Sequence, residues 1–168
     1  MKPKIQIVNE NDEIIAHKHR NEIDYSKDIY RSTTLWITNS KSEILLAQRK
    51  LTKDKDPGKW GPAVAGTVEE GETYNSNIRK ETEEEIGLTN VELKSVEKFK
   101  AGHHRQQFIQ VYSTKIDKQI EDFKIQEDEV ERIAWMSKTE LIKDLRDNPD
   151  KYVPAMPKLI DILDINRF

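Results

Sequence analysis

Glutamates at positions 69, 70, 72, 81, 83, 84 and 85 crowd into one stretch, GTVEEGETYNSNIRKETEEEIGL, which runs from Gly66 to Leu88. Like charges at i,i+4 on a helix cost about 0.2–0.5 kcal/mol per pair, so some other interaction must offset them. A helix from about Tyr74 to Ile86 would end at Gly87, a residue that readily takes the left-handed C′ conformation. With about 100° of rotation per residue, Tyr74, Ile78, Thr82 and Ile86 form one stripe facing a core. Glu85 falls inside that stripe, Glu81 lies beside it, and Glu84 extends the acidic arc. A solvated helix face is the plain reading of an acidic run. It does not put a carboxylate within a buried stripe, where desolvation is costly unless the charge is paired or coordinated. Converging carboxylates are what a hard divalent cation takes: Mg²⁺ prefers oxygen ligands, keeps waters and bridges to substrate phosphates.

Upstream, Arg49, Lys50, Lys53, Lys55 and Lys59 surround the loop LTKDKDPGKWG that leads into this stretch. They offer positive charge to substrate phosphates, or are simply solvated. Arg49, which ends an apolar strand, and Lys59 are the substrate-binding candidates. Trp60 either stacks on a base or plugs a sheet edge. His103, His104 and Arg105 sit in AGHHRQQ, read as a hairpin tip. Adjacent histidines alternate faces in an extended chain, which makes them a poor metal pair; one reaches substrate, or the segment is an ordinary polar turn. His17 and His19 share a strand face with no partner in the sequence, and no chemistry is assigned to them.

The elements that must position these residues read as one α/β domain over residues 1–168. Ile5–Val8 and Glu13–His19 flank NEND as an N-terminal β-hairpin, and Ser32–Thr38 and Glu43–Arg49 flank NSKS as a second antiparallel pair. PAVAG reads as a short buried strand, followed after the helix by strands at Val91–Phe99, Gln107–Ile116 and Val130–Trp135. Ser137 and Glu140 have the spacing of a capping box for a helix to about Arg146, and Pro154–Ile165 carries a last apolar stripe. Strands interleaved with three helices imply an α/β sandwich. The chain has no cysteine, which excludes disulfides, thiolate metal sites and a cysteine nucleophile. With 28 basic and 31 acidic residues, a net charge of −3 argues against nucleic acid as a partner. No apolar run approaches the ~20 residues that span a bilayer, and the N-terminus lacks a secretory core. The expectation is a soluble cytoplasmic protein. The N-terminal hairpin and the last helix are the surfaces available to a homodimer.

Gly66, five residues, Glu72, seven residues, Lys80-Glu81-Thr82, one residue, Glu84-Glu85, one residue, then Gly87-Leu88 resembles the Nudix box. Lys80 stands where arginine is usual and Thr82 where an aliphatic residue is usual. The resemblance implies an α/β/α sandwich with a mixed sheet and a bound Mg²⁺ or Mn²⁺. It implies hydrolysis of a small-molecule diphosphate. Glu81, Glu84 and Glu85 would then be the catalytic, metal-facing carboxylates, with the Gly66 carbonyl as a further ligand. Glu72 would anchor the loop, through Lys80 in place of the usual arginine, and Gly87 would be structural.

Beyond the box, IVNENDEIIAHKHRNEI, LLAQR and KDPGKWGPAVAGTVEEGE resemble the isopentenyl-diphosphate isomerase-like branch of that superfamily. In that branch a Glu-x-Glu pair approaches the metal site, which implies a metal role for Glu129 and a substrate contact for Glu127; an exposed acidic turn is the other reading. The branch's catalytic cysteine is missing here. Isomerisation needs a proton donor and an acceptor on opposite faces of the substrate, so hydrolysis of a nucleoside diphosphate derivative or another organic diphosphate is expected instead. A catalytically silent ligand-binding module is the alternative.

Overall fold

The structure, a computed structural model, describes residues 3–102 and 105–166. Two asparagines make its first two hairpins. After strand β1 (Ile5–Val8), the Asn9 side-chain oxygen accepts the backbone N–H groups of Asn11 at 2.9 Å and Glu13 at 3.1 Å, turning the chain into β2 (Ile14–Lys18). After β3 (Ile29–Thr38), Asn39 accepts in the same way from Lys41 at 3.0 Å and Glu43 at 2.9 Å, opening β4 (Glu43–Arg49). A short polar side chain that replaces a backbone acceptor is what makes such turns.

β3 organises the sheet. One edge runs parallel to β8 (Gln107–Lys115) along its whole length, from Tyr30↔Gln107 to Thr38↔Lys115. Its antiparallel partners divide the rest: β1 takes Ile29 and Tyr30, β6 (Val64–Thr67) takes Ser32 to Leu35, and β4 meets it only at Thr38↔Ile44. The NSKS hairpin therefore splays at once. PAVAG is not one strand, because the chain crosses the gap: β5 (Trp60–Pro62) pairs with β4, and β6 pairs with β3. β7 (Lys94–Ala101) lies antiparallel to β8, and β9 (Val130–Ser137) antiparallel to β4. Among the described residues the nine strands form one mixed sheet.

The period-two alternation of β3 sets the two layers. Leu35 and Ile37 face helix α1 (Tyr74–Ile86), packing with Leu45, Val64, Ile78 and Ile86. Trp36 faces the other way, with Ile44, Leu46 and Val111, against Leu141 of α2 (Lys138–Asp147) and Met156, Leu159 and Ile162 of α3 (Met156–Asn166). Each such fully buried side chain contributes about 1.5–3 kcal/mol of transfer free energy. The result is the expected α/β/α sandwich with its N-terminal hairpin. α2 starts on the expected capping box: Ser137 Oγ accepts from Glu140 N at 3.2 Å, and the Glu140 carboxylate accepts from Ser137 N at 3.1 Å. Among the described residues no helix is long and apolar enough to cross a membrane.

Candidate active site

α1 is closed at both ends by its own sequence. Thr73 Oγ1 accepts from Ser76 N at 3.1 Å, and Ser76 Oγ accepts from Thr73 N at 2.8 Å. At the other end Gly87 adopts φ 69°, with its N–H on Glu83 O and that of Leu88 on Thr82 O, the double bond of a Schellman cap. Gly87 is doubly constrained, since a Cβ there would stand 2.7 Å from Lys124 Cβ. The loop after β8 rests on this helix end, where Gln126 N donates to Glu85 O at 2.9 Å.

Asn77, Glu81 and Glu85 lie one turn apart along α1, each facing β6. Asn77 is fully buried and uses every polar atom. Its amide nitrogen donates to Thr67 O at 3.1 Å, to Glu72 Oε2 at 2.9 Å and to Glu81 Oε1 at 3.3 Å, while its oxygen accepts from Thr33 Oγ1 at 2.5 Å. Glu81 packs on Gly66, where a Cβ would come within 2.4 Å of its Cγ. Glu85 Oε2 accepts from Ala65 N at 3.2 Å.

Glu81 and Glu85 are half-buried and Glu84 is exposed. Burial pushes the Glu81 carboxyl up to about 7; the Lys80 ammonium opposes the rise and the Glu84 charge adds to it. Burial and the Glu81 charge push Glu85 up to about 8, against the Ala65 N–H bond and the charge of Arg49. Two neighbouring carboxyls held near neutrality are a donor set that a hard dication would fit, because it removes both the desolvation cost and the repulsion. As they stand, no three Asp, Glu or His side chains among the described residues enclose a common point. Of the five residues expected to ligate, Glu81, Glu85 and Gly66 are brought together. Glu84 lies further out, and Glu129 acts on Glu85 through its charge while paired with Lys53 at 2.5 Å.

Glu72 is tied on both oxygens: Lys80 Nζ lies 2.6 Å from its Oε1, and its Oε2 accepts from Glu69 N at 2.9 Å. Lys80 also meets Glu69 at 2.8 Å, so a point charge stands between two carboxylates. Burial opposes charge on Glu72, yet these bonds hold its carboxyl below the usual range.

The sequence reading missed the residues that hold this loop from outside. Buried Gln6 on β1 donates to Glu69 O at 2.8 Å and Glu72 O at 2.7 Å. Gln6 Oε1 in turn accepts from Arg31 at 3.0 Å. Arg31 also pairs with Asp12 at 2.7 Å, and Asp12 accepts from Tyr74 Oη at 2.9 Å and from Lys98. Asn77 alone left a signal, being the polar residue one turn before Glu81.

Arg49 is half-buried; its Nε donates to Lys55 O at 2.9 Å, and its backbone N–H donates to Lys59 O at 2.9 Å. Lys50 and Lys53 are tied to Glu131 at 2.9 Å and Glu129 at 2.5 Å. The exposed Glu127 side chain makes no hydrogen bond or ion pair with a described residue. Trp60 plugs the sheet: it pairs with Gln48, accepts from Val153 N at 2.9 Å and packs on the α2–α3 face. His103 and His104 lie outside the described residues. His17 approaches Glu70 at 3.7 Å, and His19 N donates to Glu22 at 2.8 Å.

Residues 29–157 match the model of the NUDIX domain. An uncharacterized Nudix hydrolase of Yersinia pestis is 26% identical over 138 residues, covering 82% of this chain and 74% of its own. YfcD of Escherichia coli, also an uncharacterized Nudix hydrolase, is 28% identical over 143 residues, 82% of this chain and 75% of its own. In fold, the crystal structure of DR0079 from Deinococcus radiodurans superposes with a TM-score of 0.82 at 19% identity, covering 94% of this chain and 97% of its own. The NUDIX domain of Shewanella oneidensis NrtR, solved with ADP ribose, gives a TM-score of 0.64 at 14% identity, covering 82% and 88%. With Glu81, Glu84 and Glu85 of the box on α1 and a domain match over residues 29–157, the chain belongs to the Nudix family of pyrophosphohydrolases.

Proposed function

We propose that the chain hydrolyses the diphosphate linkage of a nucleoside diphosphate derivative or another small organic diphosphate in the cytoplasm, as one domain. The observation that carries this is the pairing of Glu81 and Glu85 against Gly66 and Ala65, beside Arg49. Glu81, Glu85 and the Gly66 carbonyl would hold Mg²⁺ or Mn²⁺, with Glu84 and Glu129 nearby. When bound, that ion neutralises the diphosphate and makes water more acidic.

The chain's own groups do the rest. Arg49 and Lys59 bind the phosphates. Glu85 Oε2 is occupied by Ala65 N–H, whereas its Oε1 makes no bond to a described residue. Water attacks phosphorus, the bridging P–O bond breaks, and the water's proton passes to Glu85 Oε1. Lys80, Glu72 and Asn77 fix the loop and Glu81, and so position rather than react.

Within the family the chain resembles the isomerase-like branch, yet it supplies no cysteine for the second proton transfer, and hydrolysis is the outcome this favours. The test is a panel of nucleoside triphosphates, ADP-ribose, nucleotide sugars and isopentenyl diphosphate, incubated with Mg²⁺ or EDTA. Cleavage that needs the metal and disappears in Glu85→Gln supports the reading. Ligand-induced stabilisation without turnover would replace it with a binding module, and rearranged isoprenoid without cleavage would replace it with an isomerase.

A further inference from the structure

A second set of charges lies at the start of β3, outside the box. Arg105 holds its guanidinium 4.4 Å from the Tyr25 ring centre, and Tyr25 meets Tyr30 edge-on at 6.1 Å. Lys55 Nζ lies 3.4 Å from Tyr30 Oη, and the Lys55 carbonyl is held by Arg49. Arg20, in the turn before β3, is close enough for its charge to act on both Tyr30 and Lys55. Lys18, Lys50, Lys53, Lys80, Lys98 and Lys100 all have carboxylate partners. Arg20, Arg49, Lys55 and Arg105 make no ion pair with a described residue; Asp56 is the carboxylate whose field reaches Lys55. Burial pulls the Lys55 ammonium down, and the arginines add to that. Uncompensated cations gathered on a half-buried surface are costly unless an anion joins them.

The patch is continuous with the site through Arg49, whose charge acts on Glu85 and on Lys55 alike. Tyr30 and Thr33, which faces Gly66 across the strand pair, are separated by about 10 Å of β3. They point to opposite faces, and the two regions are joined through Arg49, whose Nε donates to Lys55 O at 2.9 Å.

We propose that Lys55 and Arg105, arranged about Tyr25 and Tyr30, form an anion subsite, with Arg20 adding its charge, that takes a phosphate group beyond the linkage being cleaved. This rests on the hydrolase reading above and narrows it. The preferred substrate carries a further phosphate, as a nucleoside triphosphate or a phosphorylated nucleotide does, and not a neutral sugar. Guanidinium and ammonium groups serve such a group through charge-assisted bonds.

The test titrates inorganic tripolyphosphate into the full-length protein in EDTA by calorimetry, so that binding is read without turnover. Arg105→Ala and, separately, Lys55→Met should each weaken binding at least tenfold; Arg105→Lys should restore most of it, and Lys100→Ala should leave it unchanged. Arg105→Ala removes a half-buried side chain that stacks on Tyr25, and it keeps the test decisive if Lys55→Met fails to fold. In turnover, Arg105→Ala should raise KM for the substrate with the extra phosphate and leave that for ADP-ribose alone. Tripolyphosphate binding that is absent, or indifferent to both variants, overturns the subsite even if metal-dependent cleavage is found. Variant-sensitive binding without cleavage of any compound upholds the subsite and removes the hydrolase reading.

Discussion

Gly66 and Glu81 are in direct van der Waals contact: a methyl group on the glycine would sit 2.4 Å from the glutamate's Cγ and 2.7 Å from its carboxyl carbon. No positive φ is involved at Gly66, so alanine is tolerated by the backbone but not by its neighbour. Gly66→Ala should push the carboxylate by around an ångström and lower kcat on the order of 10²-fold, with KM and far-UV circular dichroism little changed. Retained kcat would mean that Glu81 does not need its place.

Asn77→Ala removes a buried amide that satisfies Thr33, Thr67, Glu72 and Glu81 together. Leaving buried partners unpaired costs about 1–3 kcal/mol. The urea midpoint should fall accordingly, and kcat with it, because Glu81 loses its fixed neighbour.

Gly87→Ala meets both a left-handed backbone and Lys124. The backbone alone costs about 1–2 kcal/mol. Thermal unfolding should come earlier by several degrees, and hydrogen exchange should rise along 116–129, which leans on this helix end.

Acid sensitivity should trace to Asp12. Burial opposes its charge, but bonds from Lys98, Arg31 and Tyr74 hold its carboxyl below the ordinary 3.8. Since the folded value is the lower one, its stabilisation is complete above the unfolded value and is lost as pH falls through the folded one. Urea unfolding from pH 3 to 7 should show a slope at the acid end that is shallower in Asp12→Asn.

Divalent ions should stabilise the protein through the Glu81–Glu85 pair proposed to drive turnover. Adding millimolar Mg²⁺ should raise Tm by several degrees over EDTA, as ligands that bind only the folded state do. Glu85→Gln should lose most of that increment. An equal rise in the variant would place the ion elsewhere.

The helix Tyr74–Ile86 and its glycine stop were legible because each rests on residues within a few positions of one another, as are the two asparagine turns. The Glu72–Lys80 pair was legible through the resemblance. The break between β5 and β6 was not, because which strand a segment pairs with is decided by the splaying of β3 from β4. Gln6 and Asp12 were invisible for a related reason: their partners lie far along the chain, and a lone polar residue in a strand or a turn carries no mark of what it will hold. Asn77 was overlooked because a stripe drawn through apolar residues passes beside it.

The parallel seam between β3 and β8 has a kinetic consequence. α1, capped at both ends, draws its order from neighbours in sequence and can form early. The seam joins segments separated by the whole box helix and by β7, and contacts so distant are slow to close. A refolding chain should therefore regain helical signal before it regains a working cleft, and activity should return with the slower phase.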